Sequence, residues 1–158
     1  MKKFVFAAVL ATGLAACGSS GDDEGATGGK YSAEYDVGDG STATVTAGGD
    51  IEVDLPMGFE VYPGSKVITT MVVNNAAVQG RTVMMETGDD VQKVADFYRA
   101  QAKASGIEIN METASAGTML LAGRTEGEAG FNMMVTKSDE GKTTIQLTVS
   151  EAGDTAGG

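Results

Sequence analysis

Asp90-Val91-Gln92-Lys93-Val94-Ala95-Asp96-Phe97-Tyr98-Arg99-Ala100-Gln101-Ala102-Lys103-Ala104-Ser105-Gly106 is the stretch whose reading decides the fold. Val91, Val94, Ala95, Tyr98 and Ala102 recur at i, i+3, i+4, i+7 and i+11, which draws one apolar stripe along a helix. Phe97 widens the stripe, and Gln92, Lys93, Asp96, Arg99 and Lys103 fill the wet side. Asp89 or Thr87 is placed to cap the helix start, where acids complement the helix dipole. Ser105-Gly106 ends it, with glycine free to take the left-handed cap.

On both sides of this helix the period changes from 3.6 to 2. Before it, Thr42–Thr46 and Ile51–Leu55 flank Ala47-Gly48-Gly49-Asp50, a pattern that predicts a hairpin with Ile51, Val53 and Leu55 on one face. Residues 31–41 read as a loop or a weak edge strand. Pro63-Gly64 suits a type II turn, with proline setting φ and glycine taking positive φ. Val67–Val73 is β-branched and strand-like, 74–77 turns the chain, and Thr82–Thr87 is its partner.

After the helix, Ile107, Ile109 and Met111 alternate with Glu108, Asn110 and Glu112. Thr118–Arg124 is apolar on both faces, the mark of a central strand. Phe131, Met133 and Val135 form the next inward set, and Ile145, Leu147 and Val149 the last. Glu126-Gly127-Glu128 and Ser138-Asp139-Glu140-Gly141 read as hairpin turns. The expected fold is α+β: an antiparallel sheet of about six or seven strands with one amphipathic helix packed on one face. The short links exclude a parallel doubly wound fold.

The chain has 158 residues, 11 basic and 22 acidic, for a net charge of −11. That charge opposes nucleic-acid binding, which rests on basic contacts to phosphates. There is no histidine and no tryptophan, and Cys17 is the one cysteine. Zinc sites, thiol catalysis and disulfides lose their usual groups, so no metal or cofactor is expected.

The first residues carry a separate message. Met1-Lys2-Lys3 is basic, and Phe4–Ala16 is uncharged and too short for a span of about 20 residues. This is a secretory leader. Its exit, Leu14-Ala15-Ala16-Cys17, resembles the lipobox of bacterial lipoproteins. The resemblance implies cleavage before Cys17, a diacylglyceryl thioether on its sulfur, and a bilayer anchor held by two or more acyl chains. It gives 1–16 as a cleaved signal peptide. Gly18, standing where an aspartate would favour the inner membrane, implies the outer membrane with the domain facing the periplasm. Residues 17–30 hold no large apolar side chain and read as a disordered Gly/Ser/acidic tether. Residues 31–151 form the single domain, and 152–158 a disordered tail.

Within the domain, Phe59-Glu60-Val61-Tyr62-Pro63-Gly64-Ser65-Lys66-Val67, the Asp90–Arg99 helix start with Phe97-Tyr98-Arg99, and Ser105-Gly106-Ile107 together resemble small lipoproteins of proteobacteria, sphingomonads especially. The resemblance spans roughly residues 50–150 and implies fold and location. It brings no catalytic residues.

The remaining motifs hold no complete catalytic set. Gly64-Ser65-Lys66 lacks the spacing of a phosphate loop and leads into a strand rather than a helix. No serine has lysine three positions on, as a Ser-Lys dyad requires. Glu126 and Glu128 read as a solvated turn rather than an acid pair. Methionine is abundant, nine in all. Met85, Met111 and Met133 fall on core faces, whereas Met84 and Met134 fall opposite, and thioethers there fit packing better than Cu(I). Met84, Met134, Leu120 and Val72 are therefore the candidate lining of a surface or ligand patch. The expected protein is a membrane-anchored, non-enzymatic interaction domain of the envelope, met by an envelope protein. The alternative is a carrier of a small apolar ligand or lipid on the open face of the sheet.

Overall fold

A computed structural model describes residues 29–38, 40–74, 78–127 and 129–152. The chain runs β1 (Tyr31–Gly38), β2 (Ser41–Ala47), β3 (Lys66–Asn74), β4 (Val78–Thr87), α1 (Val91–Ala104), β5 (Glu108–Ser115), β6 (Thr118–Arg124), β7 (Gly130–Lys137) and β8 (Thr143–Ala152). All eight strands form one antiparallel sheet in the order β1-β2-β3-β4-β8-β7-β6-β5. The α+β class holds, with eight strands rather than six or seven. The leader, Cys17 and most of the tether lie outside the described residues, as do 75–77 of the turn before β4 and 153–158 of the tail.

The two halves of the sheet meet where β4 pairs with β8, Met85 opposite Ile145 and Thr82 opposite Thr148. One side of this sheet is the core. Val83 and Met85 of β4, Ile145, Leu147 and Val149 of β8, Met133 and Val135 of β7, and Leu121 of β6 are fully buried there. Helix α1 lies over β5, β6 and β7 and buries Val94, Ala95, Tyr98 and Ala102, the expected stripe. Burying a side chain of this size contributes about 1.5–3 kcal/mol, so the stripe is what holds the helix down.

The helix ends differ in how far they match expectation. At the C-terminus Gly106 has φ 72°, Ile107 N–H donates to Ala102 O at 2.9 Å and Gly106 N–H to Lys103 O at 3.2 Å. That is a Schellman cap. At the N-terminus the capping position is Asp90, whose side chain makes no cap hydrogen bond, and no acid lies in the first turn. Asp89 is instead engaged from outside the helix: its Oδ2 accepts from Tyr62 Oη at 2.7 Å and from Lys93 Nζ at 3.0 Å.

Residues 51–55 are not a strand. The hairpin expected with β2 does not form, because β2 is paired on one edge by β1 and on the other by β3. The segment runs over the core side of the sheet instead, burying Leu55. A 3₁₀ turn at Pro56–Gly58 follows, then Phe59 and Tyr62, both buried. Phe59 stacks on Phe131 at 5.6 Å and Tyr62 meets Phe97 edge-on at 5.2 Å. Gln101 Oε1 accepts from Glu60 N–H at 2.8 Å, and Met57 O from Ser105 Oγ at 2.9 Å. The Pro63-Gly64 turn forms as expected, with Gly64 at φ 72° and Ser65 N–H donating to Tyr62 O at 3.0 Å. Helix and loop thus share the cover of one sheet face.

Two strands depart from their patterns. Thr118–Arg124 is β6, second from the edge, and not central. In β5 the register slips between Ile109 and Met111. A one-residue bulge sends every later side chain to the other face. Met111, expected in the core, is therefore on the open face and 52 % exposed. Glu112 turns to the helix side, where both its oxygens accept from Arg99.

Candidate functional site

The site is the sheet face that α1 does not cover. Residues directly opposite in an antiparallel pair share a face, so the registers can be chained across all eight strands. One row reads Ala33, Val45, Met71, Thr82, Thr148, Asn132, Ala122, Met111. The next reads Tyr31, Ala47, Thr69, Met84, Gln146, Met134, Leu120, Thr113. Neither row holds a charge, in a chain whose net charge is −11.

The core side is different. Around α1 and the 51–65 loop, Arg81 pairs with Asp54, Lys93 with Asp89, Arg99 with Asp96 and Glu112, and Lys137 with Asp90. Arg99 is held more firmly protonated by its hydrogen bonds to Glu112. Asp89 is drawn below the usual carboxylate range, first by the Tyr62 hydroxyl and then by Lys93. On the open side Lys142 pairs with Glu86 at the border of the face, at 3.5 Å.

Exposed apolar bulk follows the same division. Of the seven large apolar side chains that are exposed among the described residues, Tyr31, Tyr35, Met71, Met84, Met111 and Met134 belong to the open face by register. Val37, the seventh, sits at the irregularity of β1.

Three of the four expected patch residues come together here. Met84 and Met134 are both cross-strand partners of Gln146, and Leu120 is directly opposite Met134. Val72 does not join them. The register irregularity between Val67 and Thr69 puts it opposite Arg81, on the helix side with Val83. Met71 takes its place on the open face, one residue back. Met111 was missed for the same kind of reason, since a bulge leaves no mark in strict alternation.

Beside these rows the face sinks into a hollow of about 560 Å³. Its position follows from side-chain size. The row that crosses it reads Ser150, Gly130, Arg124, so β8 and β7 offer almost no bulk there. Asn132, Ala122 and Thr148 of the neighbouring row line it too, as does Asn110 at the β5 bulge. On the opposite side a smaller hollow of about 330 Å³ opens at the start of the helix, between Val91 and Gln92 and the β5–β6 end at Ala114–Met119, while the layer beneath the middle of the helix is packed. Tyr98, Met85, Leu121, Met133 and Leu147 fill that layer and are all fully buried, with Tyr98 Oη donating to Met85 Sδ at 3.9 Å. A small molecule thus has more room on the open face than beside the helix.

A family model described as START domain-like matches residues 67–154. The matched part takes in β3 to β8 with α1, and so includes the hollow, Met84, Leu120 and Met134. Neither the curated proteins nor the solved structures contain a match.

Proposed function

The chain belongs to the START domain-like family, and we propose that it is a non-enzymatic ligand-binding domain that receives a small apolar or amphipathic molecule on the open face of its sheet. Domains of this kind can bind apolar ligands. The observation that carries the reading is the pair of uncharged rows bordered by the 560 Å³ hollow. Exposed methionines and tyrosines gathered on one uncharged face of an acidic protein mark a binding surface. The hollow falls within the roughly 300–1,000 Å³ of ordinary ligand sites.

Membrane attachment is part of the proposal. Leu14-Ala15-Ala16-Cys17 supports cleavage before Cys17 and lipid on its sulfur, with the domain at the outer membrane facing the periplasm. A lipid-anchored domain with an apolar face would meet its ligand at or near a bilayer.

The test is native mass spectrometry on the chain purified gently from its own membrane. A co-purifying small molecule that is lost in the Leu120→Asp variant supports the reading; a chain that carries nothing and takes up no alkyl probe contradicts it. The breadth of the uncharged rows, which cross all eight strands, favours a second reading in which an envelope protein covers the face. Crosslinking from Met84 and Met134 positions would then capture a protein.

A further inference from the structure

We propose that Arg124 makes the hollow a site for a single-chain amphiphile with an anionic head, specifically a fatty-acid carboxylate, an assignment that rests on the open-face reading above. Among the described residues, Arg124 is the charged side chain that lines the hollow. The other arginines of the described residues are committed: Arg81 pairs with Asp54, and Arg99 with Asp96 and Glu112. Arg124 has no ion pair among the described residues. Glu108 stands opposite it in the β5–β6 register, yet forms no ion pair with it and does not line the hollow. A guanidinium keeps its charge at any physiological pH and offers a planar fork that matches a carboxylate.

The groups around it suit the same head. Asn110 and Asn132 line the hollow and offer amide donors, beside Thr148 and Ser150, whose hydroxyls are engaged by Thr82 and Gly130. Asn110 reaches it because the β5 bulge falls between Ile109 and Met111, and bulges commonly re-aim a side chain in this way. In a chain with twice as many acids as bases, a cation without an ion pair among the described residues, in a hollow whose described lining holds no carboxylate, is a selective feature for an anion.

The tail follows from the neighbouring row. From Ala122 and Asn132 one step of two residues, about 7 Å along the strands, leads to Leu120 and Met134. From Leu120 the row continues through Met134 and past Gln146 to Met84. Those three strand spacings make a track of about 14 Å, apolar except at Gln146. Methionine is well suited to it, because its flexible thioether adapts to a chain of variable shape. Head and tail subsites are thus adjacent on one surface, and that surface is separate from the filled layer under α1.

The experiment titrates the full chain, carrying Cys17→Ser so that no acyl group of its own competes, with palmitate, hexadecanol and inorganic phosphate. Palmitate is expected to bind, and Arg124→Gln to weaken it about tenfold or more, as loss of a hydrogen bond to a charged group does. Hexadecanol affinity should stay within about twofold. Arg124→Lys should recover part of the palmitate affinity, and Lys103→Gln, an equal charge change on α1, should leave it intact. Equal palmitate affinity in Arg124→Gln and the parent overturns the head assignment; if hexadecanol still binds, ligand binding on the open face survives that result. Failure of both palmitate and hexadecanol overturns both. Phosphate binding as tight as palmitate overturns the amphiphile in favour of a free anion.

Discussion

Leu120 and Leu121 are neighbours in β6 with opposite surroundings: Leu120 faces Met134 across the open side of the sheet, and Leu121 is sealed beneath α1. Substitution should separate function from stability at these two positions. Leu121→Ala should cost about 2–5 kcal/mol, the range for truncating a fully buried leucine. Leu120→Asp should cost about 1 kcal/mol or less and abolish uptake of an alkyl probe. Chemical denaturation and probe titration on both variants check this; equal destabilisation would contradict the assignment of faces.

Gly123 should not tolerate a side chain. A Cβ there would lie 2.5 Å from Glu108 O and 2.7 Å from Ile107 Cγ2, and the nearer contact is backbone that cannot move cheaply. Gly123→Ala should lose about 1–3 kcal/mol through overpacking. Amide exchange should rise first in β5, which β6 alone holds in the sheet. A variant as stable as the parent would show that β5 packs less closely than described.

The Tyr62–Asp89 hydrogen bond ties the loop before β3 to the start of α1, and it predicts pH dependence at both ends of the scale. Burial, then the bond to Asp89, pushes the Tyr62 phenol from 10.0 to about 12. A raised folded-state value means stability present below pH 10 and lost as pH rises from 10 to about 12. Asp89 is shifted the other way, so its contribution is present above the ordinary carboxylate range and lost as pH falls through its lowered value. Melting curves across pH should show both slopes. Tyr62→Phe should flatten the alkaline one in part, since burial also raises the Tyr98 phenol, and should weaken the acid one. An unchanged profile in Tyr62→Phe would contradict the linkage.

Cys17→Ser should release the protein from the membrane fraction and abolish incorporation of labelled palmitate. A single acyl chain holds only marginally whereas two hold stably, so the change should be close to complete. Retention of the variant in washed membranes would count against the lipid anchor.

Much of this fold was readable from residue spacing. The stripe from Val91 to Ala102 identified the helix and its buried face, because nothing interrupts a 3.6-residue period there. The strands that kept strict alternation, β7 and β8, were placed with their correct inward sides. What failed was local. The bulge before Met111 and the irregularity at Ile68 each shift alternation by one residue, so Met111 and Val72 were put on the wrong faces. Leu55 looked like the end of a strand because Ile51, Val53 and Leu55 alternate. They do so as a loop laid on the core, since β3 occupies the edge of β2. The hollow was not visible at all: it arises where Ser150 and Gly130, far apart in sequence, line up across two strands.

The most direct measurement of the central claim is a methyl spectrum of the protein with labelled methionine, titrated with palmitate. Met84 and Met134 lie on the proposed tail track, and Met85 and Met133 are fully buried under the helix in the same strands. The account predicts that the Met84 and Met134 methyl signals move with the ligand while those of Met85 and Met133 stay in place. Movement of Met85 and Met133, with Met84 and Met134 unchanged, would put the ligand between helix and sheet and contradict it.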